Sequence, residues 1–147
     1  MGSVKRVRLV VLFLIAAALL AATGAYAATW NTLAPTGAEP AATGEAKIVE
    51  LTFLGVFPVP GSRQKVLCYT GTLSVQCHGL MPEAPYVVRT GDGMGTICEW
   101  TFTTDASGEG ASVGKIYAAK PKRGNFQLSV CVYRADGTLV LSGNVPY

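Results

Sequence analysis

From Lys47 to Ser142 the sequence is a succession of short runs in which apolar and polar residues alternate, with turn-forming Gly, Pro or Asp residues between them. Alternation with a period of two is typical of β-strands that bury one face. The runs recur at intervals of about ten residues, and none has the helical period. We therefore predict an all-β fold, an antiparallel immunoglobulin-like β-sandwich of about 7–8 strands, with a small closed β-barrel as the alternative.

Turn signals divide this region into individual strands. Thr70-Gly71 is predicted to form a turn, and Asp92-Gly93 and Asp136-Gly137 are predicted to form hairpin-type turns. Together the strands are expected to form one domain over residues 47–147. The predicted strands are 47–57, 64–69, 72–78, 86–88, 96–103, 111–119, 126–133 and 138–142.

The alternation also predicts which side chains face the core. Cys131 lies between Val130 and Val132, so we expect it to point outward unless a β-bulge changes the register. Trp100 is interpreted as a packing residue of the core and not as an exposed platform for a sugar. The residues expected to point inward are Val49, Leu51, Phe53, Val66, Cys68, Leu73, Val75, Cys77, Cys98, Trp100, Phe102, Phe126, Leu128, Val130 and Val132.

The N-terminus has the three parts of a secretory signal peptide. Basic residues at positions 5, 6 and 8 precede the apolar run Leu9–Ala22, and Ala25-Tyr26-Ala27 fits a cleavage site. The apolar run has 14 residues, fewer than the roughly 20 that span a bilayer, which favours cleavage over an uncleaved anchor. We predict a signal peptide over residues 1–27, a secreted or cell-envelope location, and a flexible linker over residues 28–46.

The positive net charge of the chain belongs to this N-terminal segment. The chain has 12 Lys+Arg and 9 Asp+Glu, and three of the basic residues lie at positions 5, 6 and 8. The rest of the chain is near neutral, which gives no electrostatic support for nucleic-acid binding. We therefore expect no nucleic-acid partner, and contact with a membrane only through the signal segment if it stays uncleaved.

All four cysteines lie beyond the predicted cleavage site. Export would place Cys68, Cys77, Cys98 and Cys131 in an oxidising compartment, where an even number of cysteines predicts two disulfides. Three connectivities are possible. We favour Cys68–Cys77, because these two residues flank one predicted turn, and this choice leaves Cys98–Cys131 as the second pair.

Three segments combine strand and turn signals in a characteristic order: GLMPEAPYVV at 79–88, WTFTTDASGEG at 100–110 and VYRADGTLVLSG at 132–143. This pattern, over residues 73–143, resembles that of small exported bacterial immunoglobulin-like domains. The resemblance implies a β-sandwich and no particular activity, since such sandwiches host many functions. The chain is also similar in size and cysteine number to the apoproteins that carry enediyne antibiotics, but its cysteine spacing differs, so no residue role is carried over.

His78 is the only histidine, which excludes a multi-histidine metal site. It follows Cys77, a combination that suggests a nucleophile and its base. Neighbouring residues on a strand point to opposite faces, so we expect a buried cysteine and an exposed histidine instead. The polar loop Asp105–Gly110 lacks the full pattern of a calcium loop, and both it and the basic loop Lys120–Gly124 are interpreted as solvated turns.

These patterns predict a non-catalytic exported module with a structural or binding role at the cell surface or outside the cell. Its partner is expected to be a protein, a glycan or a small molecule. A small-molecule carrier or inhibitor-type domain is one alternative, and a carboxylate-dependent hydrolase is another, because paired carboxylates meet only in the fold. No catalytic, cofactor-binding or metal-binding residue is assigned from the sequence.

Overall fold

The computed structural model describes residues 29–147, so the predicted signal peptide at 1–27 lies outside the described residues. All regular elements in the described part are strands. This part of the chain contains no helix long and apolar enough to cross a membrane. The strands are β1 Asn31–Pro35, β2 Thr43–Pro58, β3 Lys65–His78, β4 Pro85–Gly91, β5 Ile97–Thr103, β6 Gly110–Pro121, β7 Gln127–Arg134 and β8 Leu139–Pro146.

The eight strands form one antiparallel sheet in the order β5-β4-β7-β8-β1-β2-β3-β6. β1 links two groups of strands, because Asn31–Leu33 pair with β2 whereas Ala34 and Pro35 pair with β8. The sheet curls until its two edge strands, β5 and β6, approach each other, and it is therefore nearly closed like a barrel. The prediction of an all-β antiparallel fold is confirmed.

The interior is filled by side chains that alternate along the strands, as expected for a sheet with one buried face. Leu73, Val75 and Cys77 of β3 point inward, and so do Leu128, Val130 and Val132 of β7, as predicted. Cys98, Trp100 and Phe102 of β5 share the inner face and are partly buried. The largest fully buried side chains are Tyr86, Leu33, Ile48, Leu73, Ile116, Leu128 and Leu141.

The predicted turn at Thr70-Gly71 is wrong, because β3 runs without interruption from Lys65 to His78. A bulge in β2 between Ile48 and Glu50 brings the Glu50 carbonyl oxygen so close to Gly71 that a Cβ atom there would overlap it. Gly71 is therefore required by a close backbone approach within the sheet and not by a turn.

The predicted flexible linker at 28–46 is also wrong over most of its length. β1 and the start of β2 lie in this segment, and Leu33, Ala42 and Ala46 are buried. Alanine and glycine carry little apolar surface, so the alternation of burial along Thr43–Lys47 is nearly invisible in the amino-acid sequence. Backbone pairing with β8 and β2 orders a segment whose composition resembles that of a linker.

The inner face predicted for strand 47–57, which corresponds to β2, is wrong at two of its three positions. Val49 and Phe53 are exposed, whereas Ile48 is buried and Leu51 is partly buried against the core. The bulges between Ile48 and Glu50 and between Phe53 and Gly55 each shift the alternation by one residue. A one-residue shift moves a side chain to the other face of a sheet.

The four cysteines are free, and the favoured disulfide pairs do not fit the fold. Cys68 and Cys77 lie nine residues apart on one continuous strand, a separation of roughly 30 Å, whereas disulfide-bonded residues have Cα atoms within about 7 Å. Cys98 lies opposite Thr90 of β4 and Cys131 lies opposite Arg89. These cysteines therefore project from opposite faces with β4 between them. The outward orientation predicted for Cys131 is confirmed.

Candidate binding surface

The turns of the sheet lie at two ends of the domain, which we call the basic pole and the acidic pole. Register places the end of β2 beside the start of β3 and the end of β6, and the end of β4 beside the start of β7. The basic pole consists of the turns 59–64, 92–96 and 122–126 with the adjoining residues Phe53–Pro58, Lys65, Ile97, Lys120 and Tyr147. The acidic pole consists of the turns 36–42, 79–84, 104–109 and 135–138 with His78 and Arg134.

Charge is separated between these poles, although residues 29–147 contain equal numbers of basic and acidic side chains. The single acidic side chain of the basic pole, Asp92, is buried. The basic side chains of that pole are Arg63, Lys65, Lys120, Lys122 and Arg123. The acidic side chains of the opposite pole are Glu39, Glu83, Asp105, Glu109 and Asp136. A near-zero net charge therefore conceals a strongly polar distribution of charge.

Exposed apolar side chains gather at the basic pole. Of the ten large apolar side chains that are exposed within residues 29–147, six lie there. Four of the six belong to the last six residues of β2, and we call Phe53, Leu54, Val56 and Phe57 the hairpin patch. Each of these side chains is about half exposed, with Phe53 at 53%. The other two, Met94 and Ile97, belong to the turn 92–96 and the first residue of β5.

The hairpin patch is held by a ring cluster at the base of the β2–β3 hairpin. The rings of Phe53 and Tyr69 have centroids 5.5 Å apart, and the Tyr147 ring meets Tyr69 edge-on at 6.3 Å. Lys120 Nζ lies 5.3 Å from the centroids of both tyrosine rings and donates a hydrogen bond to the Tyr147 backbone oxygen. Cation–π contacts of this kind fix the hairpin to the end of the domain.

Asp92 fixes the second turn of the basic pole. Its Oδ1 accepts hydrogen bonds from the backbone N–H groups of Met94 and Thr96, and its Oδ2 accepts one from Ala119 N at 2.8 Å. Gly93 and Gly95 both have positive φ, as the predicted Asp-Gly turn requires. The carboxylate thus ties turn 92–96 to β6 and is itself fully occupied by backbone donors.

The residues that the sequence suggested for chemistry lie at the acidic pole and do not converge. Cys77 is buried in the core, and burial raises the pKa of its thiol to about 12. His78 points outward and lies 3.5 Å from the Glu109 carboxylate, on a surface depression of about 330 Å³. Strand alternation therefore separates thiol and imidazole as expected, and a thiol with so high a pKa is a poor nucleophile.

The loop Asp105–Gly110 is organised as a turn. Asp105 Oδ1 accepts hydrogen bonds from Ser107 N, Ser107 Oγ and Glu109 N. These bonds, the one from Glu109 N above all, lower the pKa of Asp105. Because this carboxylate oxygen serves the backbone of its own loop, the arrangement is that of a turn cap. Among the described residues, no group of three or more potential ligands is placed to hold a metal ion.

The buried carboxylates lie far apart. Glu39 accepts a hydrogen bond from Tyr86 Oη at the start of β4 and pairs with Arg134 at 2.6 Å. Asp92 follows the end of the same strand. Six residues of extended chain separate Tyr86 from Asp92, a distance of about 20 Å. Paired carboxylates of glycosidases lie within about 10 Å of each other, so Glu39 and Asp92 cannot flank one bond.

The two tryptophans of the described residues, Trp100 and Trp30, make contacts within the fold. Trp100 is partly buried at the junction of β5 and β6, where its Nε1 donates to Ser112 Oγ at 2.5 Å. Trp30 lies under the Lys47 ammonium group, which is 4.4 Å from its ring centroid. The basic loop Lys120–Gly124, interpreted from sequence as a solvated turn, belongs to the basic pole.

Sequence reasoning missed the hairpin patch, although a signal for it was present. Phe53, Leu54, Val56 and Phe57 occupy both odd and even positions of one strand, and a strand with one buried face cannot bury both sets.

Comparisons with known proteins add no further guide to function. No protein-family model matches the chain, and no curated protein matches it significantly.

Proposed function

We propose that this chain is a non-catalytic exported β-module that works by binding, and that the basic pole is its contact surface. The observation that carries this proposal is the hairpin patch. Soluble monomeric domains keep contiguous exposed apolar surface small, and larger patches mark interaction sites. Here two phenylalanines and two aliphatic side chains are about half exposed on one hairpin end.

The backbone pairing of β2 with β3 up to turn 59–64 supports a role for the hairpin end as a contact surface. Turn 59–64 is closed by a hydrogen bond from Val59 N to Gln64 O, and the strands stay paired to Pro58 and Lys65. The hairpin end is therefore an ordered arm as far as its tip, and β6 flanks it on the β3 side up to Pro121. An ordered arm that exposes apolar side chains is suited to contact with another surface.

For the fold itself we propose an immunoglobulin-like sandwich whose two sheets share β1. The change of partner at Leu33–Ala34 supports this reading, because strands that switch sheets form the corners of sandwiches. The junction of β5 and β6, where side chains and not a ladder of backbone pairs make the contact, is consistent with an open sandwich edge. In such folds the ends carry the binding loops.

The test is retention of the exported protein by the envelope of cells that express the full chain. Phe53→Ser/Phe57→Ser removes two aromatic side chains of the hairpin patch and leaves the core intact. Met81→Ser/Val113→Ser is the matched control, because it removes two exposed apolar side chains outside the basic pole. Circular dichroism melting verifies that both variants fold.

We expect the hairpin variant to be released from washed envelopes at least fivefold more than the unmodified protein, and the control to behave like the unmodified protein. Loss of two half-exposed aromatic contacts is sufficient for a change of this size. Equal retention of the hairpin variant, or complete release of the unmodified protein, would overturn the proposal.

A further inference from the structure

We infer that the surface bound by the basic pole is a lipid bilayer that contains anionic lipid. This inference rests on the proposed function and names the ligand of the same site. It goes beyond the sequence expectation, which limited membrane contact to the signal segment. Three features of the described residues carry it: apolar side chains on both faces of the hairpin, exposed cations around it, and acidic charge at the far pole.

The hairpin patch is apolar on both faces of the arm. Phe53 pairs with Tyr69 in the register of β2 and β3 and so lies on one face, whereas Phe57 pairs with Val66 and lies on the other. Leu54 is the extra residue of the second bulge. A groove on a folded protein covers one face of a strand pair, but the interfacial layer of a bilayer surrounds an inserted tip on all sides. The two-sided patch therefore favours lipid over a protein groove.

The cations of the basic pole are available for headgroups. Arg63, Lys65, Lys122 and Arg123 are exposed, and none of them takes part in a salt bridge of the described part of the chain. The acidic group beside them, Asp92, is buried and bonded to three backbone N–H groups. Anionic phosphate headgroups complement this arrangement, and long basic side chains reach them while their stems remain on apolar surface.

The acidic pole favours the same orientation of the domain, with the basic pole toward the membrane. Its exposed carboxylates, Glu83, Asp105, Glu109 and Asp136, lie at the end of the domain opposite the hairpin patch. A negative membrane surface attracts one pole and repels the other, so approach is guided with the hairpin foremost. Basic charge and exposed apolar side chains at one end are the combination that peripheral membrane attachment requires.

The experiment is flotation of the exported protein with vesicles of neutral phosphatidylcholine, and with vesicles in which three lipids in ten are phosphatidylglycerol. Lys122→Gln/Arg123→Gln removes two cations of the basic pole. Lys47→Gln/Lys115→Gln is the matched control, because it removes the same charge from strands between the poles. Phe53→Ser/Phe57→Ser reports on the apolar contribution.

We expect binding to anionic vesicles that falls about twenty-five-fold in Lys122→Gln/Arg123→Gln, at about fivefold for each cation removed. We expect a smaller change in the control, a loss in Phe53→Ser/Phe57→Ser, and weakening when salt is raised from 0.1 to 0.5 M, which shortens the screening length. Equal binding to neutral and anionic vesicles, or equal losses in both charge variants, would overturn the inference.

The outcomes also separate this inference from the proposed function. If neither vesicle binds the protein but Phe53→Ser/Phe57→Ser still releases it from envelopes, the lipid inference fails and the binding module stands, with an envelope protein or glycan as its partner. If vesicles and envelopes both fail to retain the unmodified protein, both proposals are overturned.

Discussion

The indole ring of Trp100 on β5 lies over the Cα atom of Gly114 on β6, so closely that a Cβ atom at position 114 would overlap the ring. Phe102 stands in the same relation to Gly110. At the other end of the junction, Cys98 Sγ accepts a hydrogen bond from Tyr117 N at 3.2 Å. The two edge strands are thus joined by large side chains that fit onto glycines, and this contact nearly closes the sheet.

Gly114→Ala should therefore destabilise the domain by about 2 kcal/mol, because overpacking a filled interior forces side chains from their rotamers. The measurement is the free energy of unfolding from urea denaturation. Trp100→Leu provides the control, since a smaller side chain leaves room for the new methyl group. In the Trp100→Leu background the cost of Gly114→Ala should fall below about 1 kcal/mol. An equal cost in both backgrounds would contradict the described contact.

Arg134→Gln should lower the free energy of unfolding by about 3 kcal/mol, because it leaves the Glu39 carboxylate buried without its charge partner. Glu39 is only 7% exposed and is held by Arg134 and Tyr86. The matched control is Arg89→Gln, which breaks the pair with Glu99 on the surface. Exposed pairs contribute at most about 1 kcal/mol, so similar losses in the two variants would refute the importance of burial.

Thr90→Val should stabilise the domain by about 1 kcal/mol. Thr90 Oγ1 is buried and has no hydrogen-bond partner among the described residues. A buried hydroxyl without a partner has lost its water and gained nothing in exchange, whereas a methyl group of the same shape carries no such cost. Thermal melting and urea denaturation measure the change. A decrease in stability would show that the hydroxyl has a partner, for example an ordered water.

The cysteines should behave as four thiols of unequal reactivity. Intact mass should be unchanged by reduction, and all four thiols should be alkylated in denaturant. In the native protein Cys77 should react last, because burial raises the pKa of its thiol to about 12 and only the thiolate attacks. Peptide mapping after timed alkylation measures the order. A Cys68–Cys77 disulfide would instead require β3 to break near Gly71.

Raising the pH above 10 should destabilise the domain through Tyr147. Burial raises the pKa of its phenol from 10.0 to about 12, with the negative charge of Asp92 adding to the effect. Both folded and unfolded states hold the proton below pH 10. Between pH 10 and about 12 only the unfolded phenol ionises, so this part of the stability is lost as pH rises through that window.

Tyr147→Phe is the control for this pH dependence. It keeps the ring beneath Lys120 but removes the hydrogen bond from Tyr147 Oη to Ala119 O. We expect a lower free energy of unfolding at pH 8, by about 1 kcal/mol, and a shallower fall between pH 10 and 12. An unchanged slope above pH 10 would assign the loss to other groups.

Local physics explains which parts of the fold could be predicted. Period-two alternation holds wherever a strand is straight and has one buried face, and Leu73–Cys77, Cys98–Phe102 and Leu128–Val132 have their predicted faces for this reason. Asp-Gly turns were predictable too, because Gly93 and Gly137 need positive φ. The charges, the excess of apolar residues in Phe53–Phe57 and the number of cysteines can be read directly from the sequence, whereas the exposure of Phe53–Phe57 cannot.

Other properties depend on partners distant in sequence, and only the tertiary structure decided them. β1 is a strand because β2 and β8 supply hydrogen bonds to its backbone, and Gly71 lies within a strand because a bulge on β2 presses against it. Continuity of β3 separates Cys68 from Cys77. The curl of the sheet gathers cations from separate turns beside the hairpin patch, because strand ends distant in sequence become neighbours when strands pair in register. The amino-acid sequence thus determined the composition of the basic pole, and the pairing of strands determined its existence.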